Sequence, residues 1–215
     1  MMGSMSEPKT VARSTTEIVP GLFYYTIDDE RIKTRSNAYA VVAGGRVALI
    51  DPLPLDPDAI ARLGRIETVL IGTPSHQRSA WTYRREHKAK VYAPEGWSDL
   101  EEKPDGTFKE GDPLPGGLRP LHAAGPNKAH YAFHLDRKPG VLLCTDLWHA
   151  TPRGVEFLPD KYMNDAARAR ESAHRLLEVN FDILCFGHGD PITRGARNVV
   201  ADVVRKDAAA REGAH

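Results

Sequence analysis

The chain has 215 residues, 41% of them apolar and 27% charged, with 29 Lys plus Arg against 29 Asp plus Glu. That length and composition fit one globular domain with a sizeable core. The balanced charge leaves no basic excess for nucleic acid or an anionic membrane surface, and no apolar run approaches the roughly 20 residues that span a bilayer.

The opening "MMGSMSEPKT" lacks the apolar core of a signal peptide. Its repeated Met and Gly-Ser look like a cloning scar ahead of a second start at Met5, so residues 1–12 are expected to be a disordered lead and 13–215 one domain. Glu17 to Asp51 reads as strands. "IVPGLFYYTI" is rich in β-branched and aromatic residues, and "NAYAVVAGGRVALIDP" is two apolar runs joined at Gly44-Gly45, a two-residue hairpin signal. Asp56-Pro57 offers an N-cap followed by proline at the first helical position of "DAIARL", a short helix ending at Gly64. "TVLIG" is a buried strand, "SAWTYRREHK" a helix capped by Ser79 or Ser75, and "AKVYAP" the strand after it.

Residues 94–117 are dense in Gly, Pro, Asp and Glu and read as a long loop, with or without one small strand pair. Strands resume at "LRPLHAA", "HYAFHL" and "GVLLCTD". Asn164 is placed to cap "DAARARESAHRLLE", "FDILCFG" is a last buried strand, and "ARNVVADVVRKDAA" a closing helix. Strands interleaved with helices, with hairpins early and again in the middle, predict two sheets between helical layers. Cys144 and Cys185 both lie in apolar runs and read as buried free thiols. Nothing requires an oxidising compartment, which makes the cytoplasm the default.

Three strand-ending motifs carry a resemblance: "ALIDPLPLD" (48–56), "LLCTDLW" (142–148) and "ILCFGHGDPI" (183–192). With a histidine-bearing loop after "TVLIG", and with "GGLRPLHAAGPNKAHYAFHL" before the second motif, the chain resembles the metallo-β-lactamase superfamily from about Ile18 to Asp207. "FGHGDPI" is the most specific piece. The resemblance implies an α/β fold, a four-layer αββα sandwich, with a site where strand-end loops meet. Such loops usually hold two metal ions, most often zinc, which lower the pKa of bound water towards neutrality for hydrolysis.

The family's histidine loop, His-x-His-x-Asp-His after a Thr, falls on Thr73. His76 then matches the second histidine, while Pro74, Arg78 and Ser79 stand at the first histidine, the aspartate and the last histidine. In "AAGPNKAH", Gly125 matches the family glycine and Pro126 stands where the next histidine belongs. His130 falls at a position that is often His or Glu but is not a usual ligand. Asp146 matches the aspartate that bridges two metals, and His188 the final histidine. Three of seven ligand positions are kept. Proline has no side-chain donor atom, and arginine stays protonated and repels a nearby cation, so an ordinary two-zinc site is not expected.

Three functional readings stand side by side. In the first, the metal site is degenerate and the protein is a pseudoenzyme without cofactor, its pocket kept for a small molecule or a partner. Arg78 there reaches Asp146 and neutralises it, since a buried carboxylate needs a partner. In the second, His76, Asp146 and His188 hold one zinc, manganese or iron ion and hydrolyse an ester, thioester or amide, with Arg78 on a substrate anion. In the third, Asp146 and His188 perform metal-free acid-base chemistry with Arg78 as electrostatic stabiliser. Trp148, His149, His130 and Tyr162 are candidate pocket residues, with His130 or His149 as a further ligand; Trp148 reads equally as a core residue.

Gly187 and Gly189 flank His188 as in a tight turn. His122 and His134 read as satisfied sheet histidines, and His87, beside Arg84, Arg85, Lys88 and Lys90, as part of a solvated basic face. There is no Gly-x-Ser-x-Gly elbow and no phosphate-cradling glycine loop. The expected partner is a small molecule, with no nucleic acid and no membrane. A homodimer through a sheet edge or the 94–117 segment is the other expectation.

Overall fold

The computed structural model describes residues 6–213. Its first sheet has seven strands in sequence order: β1 (Thr16–Val19), β2 (Leu22–Asp29), β3 (Thr34–Ala43), β4 (Arg46–Ile50), β5 (Arg65–Leu70), β6 (Lys90–Pro94) and β7 (Gly106–Phe108). Pairing is antiparallel from β1 to β4 and parallel from β4 to β7. The second sheet combines β8 (Leu118–His122), β9 (Tyr131–Leu135), β10 (Val141–Leu143) and β13 (Ile183–Cys185) in the order β13-β10-β9-β8, with β10 and β13 parallel. A separate hairpin is formed by β11 (Trp148–Thr151) and β12 (Gly154–Phe157). Its turn is Thr151-Pro152-Arg153-Gly154, a turn signal with Pro second and Gly fourth that the sequence reading missed.

Successive strand side chains point to opposite faces, and this alternation divides the apolar residues among three cores. Ala38, Ala40, Leu49, Val69 and Ile71 face helices α1 (Pro57–Leu63) and α2 (Ala80–His87), packing with Leu63, Ala80 and Trp81. Their neighbours Tyr39, Val41, Ile50 and Leu70 face inward and meet Phe133, Leu135, Val141, Leu143, Ile183 and Cys185 of the second sheet. The other face of that sheet, through Leu142, Cys144 and Leu184, packs on α3 (Ala166–Leu176) and α4 (Ala196–Glu212). The layers are therefore helices, sheet, sheet, helices.

Local signals act as expected at several points. Asp56 caps α1 by accepting the Asp58 amide, with Pro57 inside the first turn. Gly44 and Gly45 both take positive φ (58° and 75°) in the β3–β4 turn, which suits a primed hairpin turn. Both cysteines are buried and free. Elsewhere the structure corrects the reading. The cap of α3 is Asp165, not Asn164, and Ser79 precedes α2 without a capping hydrogen bond from its hydroxyl. In the 94–117 segment there is no strand pair of its own; β7 adds to β6 instead.

Order begins before residue 13. Lys9 and Thr10 bond to Glu30, and Ala12 is buried with its amide on Pro54 and its carbonyl on Asp56. Residues 1–5, which carry most of the suspected scar, lie outside the described residues. No helix among the described residues is long and apolar enough to cross a membrane.

Candidate metal centre

The carboxyl ends of the parallel pairs β4/β5 and β10/β13 open at one pole, where open α/β sheets bind ligands. Each end contributes one residue. Asp51 follows β4, His76 lies in a 3-10 turn (Pro74–His76) after β5, Asp146 follows β10, and His188 follows β13. The two sheets are clasped here by hydrogen bonds from the Asn37 amide to the Gly187 carbonyl (2.8 Å) and from the Tyr131 amide to the Gly72 carbonyl (2.8 Å). Tyr39 Oη and Asn37 Nδ2 also donate to the Phe186 carbonyl.

His76, Asp146 and His188 come together, one ligand atom from each lying within 4.8 Å of the others. The outward nitrogens of both histidines are committed. His188 Nδ1 is 2.8 Å from the Arg35 carbonyl oxygen, which can only accept, so this nitrogen carries the hydrogen. His76 Nδ1 is 3.1 Å from Asp51 Oδ2, and Asp51 Oδ1 accepts the Gly72 amide at 2.7 Å. In a neutral imidazole the other nitrogen is then a bare lone pair. His76 is neutral by its surroundings: burial pushes its pKa well below the usual value, and the Arg78 charge pushes it further down.

His76 Nε2 consequently turns a lone pair towards Asp146 Oδ1 at 3.5 Å, and that buried oxygen accepts no hydrogen bond. Two acceptors facing each other without a hydrogen repel unless a cation lies between them. Their separation is close to the edge, about 3.4 Å, of a tetrahedron with metal–ligand bonds of about 2.1 Å. His76, Asp146 and His188 thus offer a possible set of ligands for one divalent ion, and the side chains of Pro74, Arg78 and Pro126 add no ligand atom to it.

Asp51 is the site residue that the sequence reading missed. It appeared there as a strand-ending motif, and its hydrogen bond to a side chain 25 positions away left no local signal. Burial raises its pKa to about 6, against the opposing pull of Arg78 and the Gly72 amide. Arg78 Nη1 donates to the main-chain carbonyls of Asn37 (2.9 Å) and Asp51 (3.1 Å), and His76 stands beside Asp146. Burial lowers the arginine's pKa while Asp51 and Asp146 hold it up, so its charge still bears on both carboxylates. Asp51 and Arg78 both have positive φ (48° and 39°), uncommon outside glycine and a mark of backbone held by its surroundings.

The pocket candidates separate. Trp148 is wholly buried in the outer core against Phe157. Tyr162 is 62% exposed, with Lys161 over its ring, and belongs to the surface. His149 is half-buried, and burial, with a smaller contribution from the nearby His188, lowers its pKa. His130 is fully buried, its Nδ1 on the Ala123 carbonyl at 2.7 Å. His122 and His134 bond to the carbonyls of Lys128 and Asn180, and Arg84, Arg85 and Lys90 pair with Glu102 and Asp105. The clefts described on the surface lie away from the triad; one of about 650 Å³ runs between β12 and α4, past Phe157, Arg170 and Lys206.

Neither protein-family models nor curated protein sequences match the chain. Solved structures do. A metallo-β-lactamase family protein from Thermus thermophilus superposes with a TM-score of 0.68 at 20% identity, covering 92% of this chain and 82% of that one. The fold is that of the metallo-β-lactamases. The DIM-1 metallo-β-lactamase, solved after exposure to ceftazidime, has a TM-score of 0.70 at 14% identity, covering 92% and 98% of the two chains. An archaeal metallo-β-lactamase superfamily protein from Sulfolobus tokodaii gives 0.61 at 15%, covering 80% and 79%. At these identities the likeness carries the metallo-β-lactamase fold, and the site has to be read from this chain's own residues.

Proposed function

We propose that this metallo-β-lactamase-fold protein holds a single divalent metal ion, zinc in the first instance, on His76, Asp146 and His188, and hydrolyses an ester, thioester or amide there. The observation that carries the reading is the convergence of three lone-pair atoms within 4.8 Å, with the outward nitrogens of both histidines already bonded elsewhere. Held there, a divalent ion supplies Lewis acidity that polarises an acyl carbonyl and makes water a nucleophile at neutral pH.

The chain's own groups do the positioning. Asp51 fixes the tautomer and plane of His76, and the Arg35 carbonyl does the same for His188; partners of this kind orient ligands in metal sites. Arg78 places a fixed positive charge where the family's ligand carboxylate is expected, which favours one ion over two. Ser79 and Pro126 add to the same reduction.

A second reading has one specific observation in its favour. The buried Arg78 charge already bears on Asp51 and Asp146, so the cluster can be neutralised without metal and serve as a small-molecule or partner-binding site. Metal stoichiometry separates the two. The hydrolase reading expects about one equivalent of zinc, manganese or iron(II) retained after gel filtration, followed by turnover in an ester, thioester and amide screen. Metal-free protein under every loading condition would leave the binding reading.

A further inference from the structure

The hairpin of β11 and β12 joins neither of the larger sheets, which leaves β12 with a free edge. Register decides which residues turn their main chain to that edge. Trp148 lies opposite Phe157 and Thr151 opposite Gly154, and one position beyond the ladder the Leu158 amide bonds to the Leu147 carbonyl at 3.1 Å. Bonded and unbonded pairs alternate in an antiparallel ladder. Gly154, Glu156 and Leu158 therefore bond to β11, whereas Val155 and Phe157 turn N–H and C=O outward. The other strand obeys the same alternation: Ala150, opposite Val155, turns its amide away from β12 to the His188 carbonyl. Among the described residues no main-chain group pairs with the outward N–H and C=O of Val155 and Phe157.

This edge lines the cleft of about 650 Å³ beside α4, where Val199, Val203 and Lys206 form the facing flank. They are spaced four and three apart, one stripe of a helix, and Val199 is 37% exposed. Charge does not set two copies of this face against each other. Arg153 pairs with Glu156, Arg170 with Asp160 and Asp207, and Asp202 with Arg205. Pro152 and Pro159 bracket the strand and have no N–H to give, which confines added pairing to the short stretch between them.

We propose that β12 is a self-association edge, where a second copy of the chain adds its own β12 antiparallel about a two-fold axis and makes a four-stranded sheet across the two molecules. A two-fold contact needs a surface complementary to itself, and a strand edge of alternating donors and acceptors has that property. In the register that satisfies every outward group, Val155 of each copy faces Phe157 of the other, and each such pair exchanges two hydrogen bonds. The two Glu156 residues then stand opposite each other at an unbonded position. Each already has Arg153 of its own chain at 3.2 Å, which offsets their repulsion. The incoming strand also covers the Val199 and Val203 flank of α4. None of this depends on whether a metal binds.

Sedimentation velocity of the full chain over a concentration series tests the proposal. A dimer with a Kd of about 100 µM or below is expected, since small interfaces of this kind are weak. Val155→Pro removes an outward N–H that the β11 ladder does not use, a position where a strand tolerates proline. It should weaken the dimer about 10-fold or more through the lost hydrogen bonds, with circular dichroism unchanged. Should that variant fail to fold, Val199→Glu at its exposed position takes its place, and burying its carboxylate should weaken the dimer by about as much. Glu156→Cys should form an intermolecular disulfide on mild oxidation, because unbonded antiparallel partners have Cα atoms about 4.5 Å apart, within disulfide range. Arg62→Cys, exposed on α1, should not, and both native cysteines are buried. Monomer at every concentration, a dimer that the folded edge variant leaves intact, or equal cross-linking of the two cysteine variants would overturn the proposal.

Discussion

Asp51 and Arg78 are the residues on which the chemistry of the site turns. Replacing Asp51 with Asn keeps an acceptor for the Gly72 amide but turns an amide N–H towards His76 Nδ1. The imidazole then moves its hydrogen to Nε2, into the position a metal needs. Metal affinity should fall about 10- to 100-fold, as it does when the partners behind metal-bound histidines are removed; competition against a chelating dye measures it, and an unchanged affinity would refute the tautomer argument. Arg78→Met removes the hydrogen bonds to the Asn37 and Asp51 carbonyls and the charge opposing the carboxylates. A loss on the order of 3–5 kcal/mol in urea unfolding is expected for breaking a buried charge arrangement. A loss below about 1 kcal/mol would mean the guanidinium contributes little where it lies.

At the scale of elements, the β11–β12 hairpin and the turn bearing His188 form a unit. The Ala150 amide bonds to the His188 carbonyl at 3.2 Å. Gly189 has φ +89°, and a Cβ there would lie 2.6 Å from Ala150 Cβ and 2.7 Å from its carbonyl oxygen. Gly187 has the same closeness to Thr145, whose carbonyl oxygen would stand 2.7 Å from its Cβ. Gly189→Ala should therefore cost on the order of 1–3 kcal/mol and loosen the hairpin, seen as red-shifted tryptophan emission as Trp148 gains water. Wild-type stability and emission would count against this role for the turn.

These contacts also mark where sequence reasoning reaches its limit. Most strands and the order of two sheets between helical layers were legible because apolar runs such as Ala38–Val42 and Val69–Ile71 are local patterns, whereas their division among three cores was not, because every residue in these runs is apolar. His76, Asp146 and His188 were legible because each sits at the end of a recognisable strand motif. The β11–β12 hairpin was not, because Trp148 and Phe157 are placed by packing on α3 and α4, and the hydrogen bonds of Arg78 to the Asn37 and Asp51 carbonyls were not, because they join residues far apart in the chain.

For the whole molecule, the buried histidines set the response to acid. Burial lowers the pKa of both His76 and His130 from the usual 6.5, so below about pH 6.5 the unfolded chain binds protons that the folded chain refuses. Their contribution is fully present above that pH and is lost as pH falls. Asp51 acts with the opposite sign. Its folded pKa of about 6 lies above the ordinary aspartate value of 3.8, so between about pH 6 and 4 the folded state takes up a proton and gains stability. Metal-free protein should lose stability from pH 7 to 5, and Asp51→Asn, which removes the offset, should lose it more steeply. Urea unfolding at pH 7, 6 and 5 tests this, and a shallower dependence in the variant would contradict it.

Metal content by elemental mass spectrometry tests the central claim most directly. Protein purified without chelator or polyhistidine tag is offered zinc, manganese and iron(II) in turn and then gel-filtered, alongside His188→Ala. The expected result is about one equivalent bound by the wild type and none by the variant. Two equivalents, no stoichiometric metal under any condition, or retention that survives loss of His188 would contradict the single-ion site.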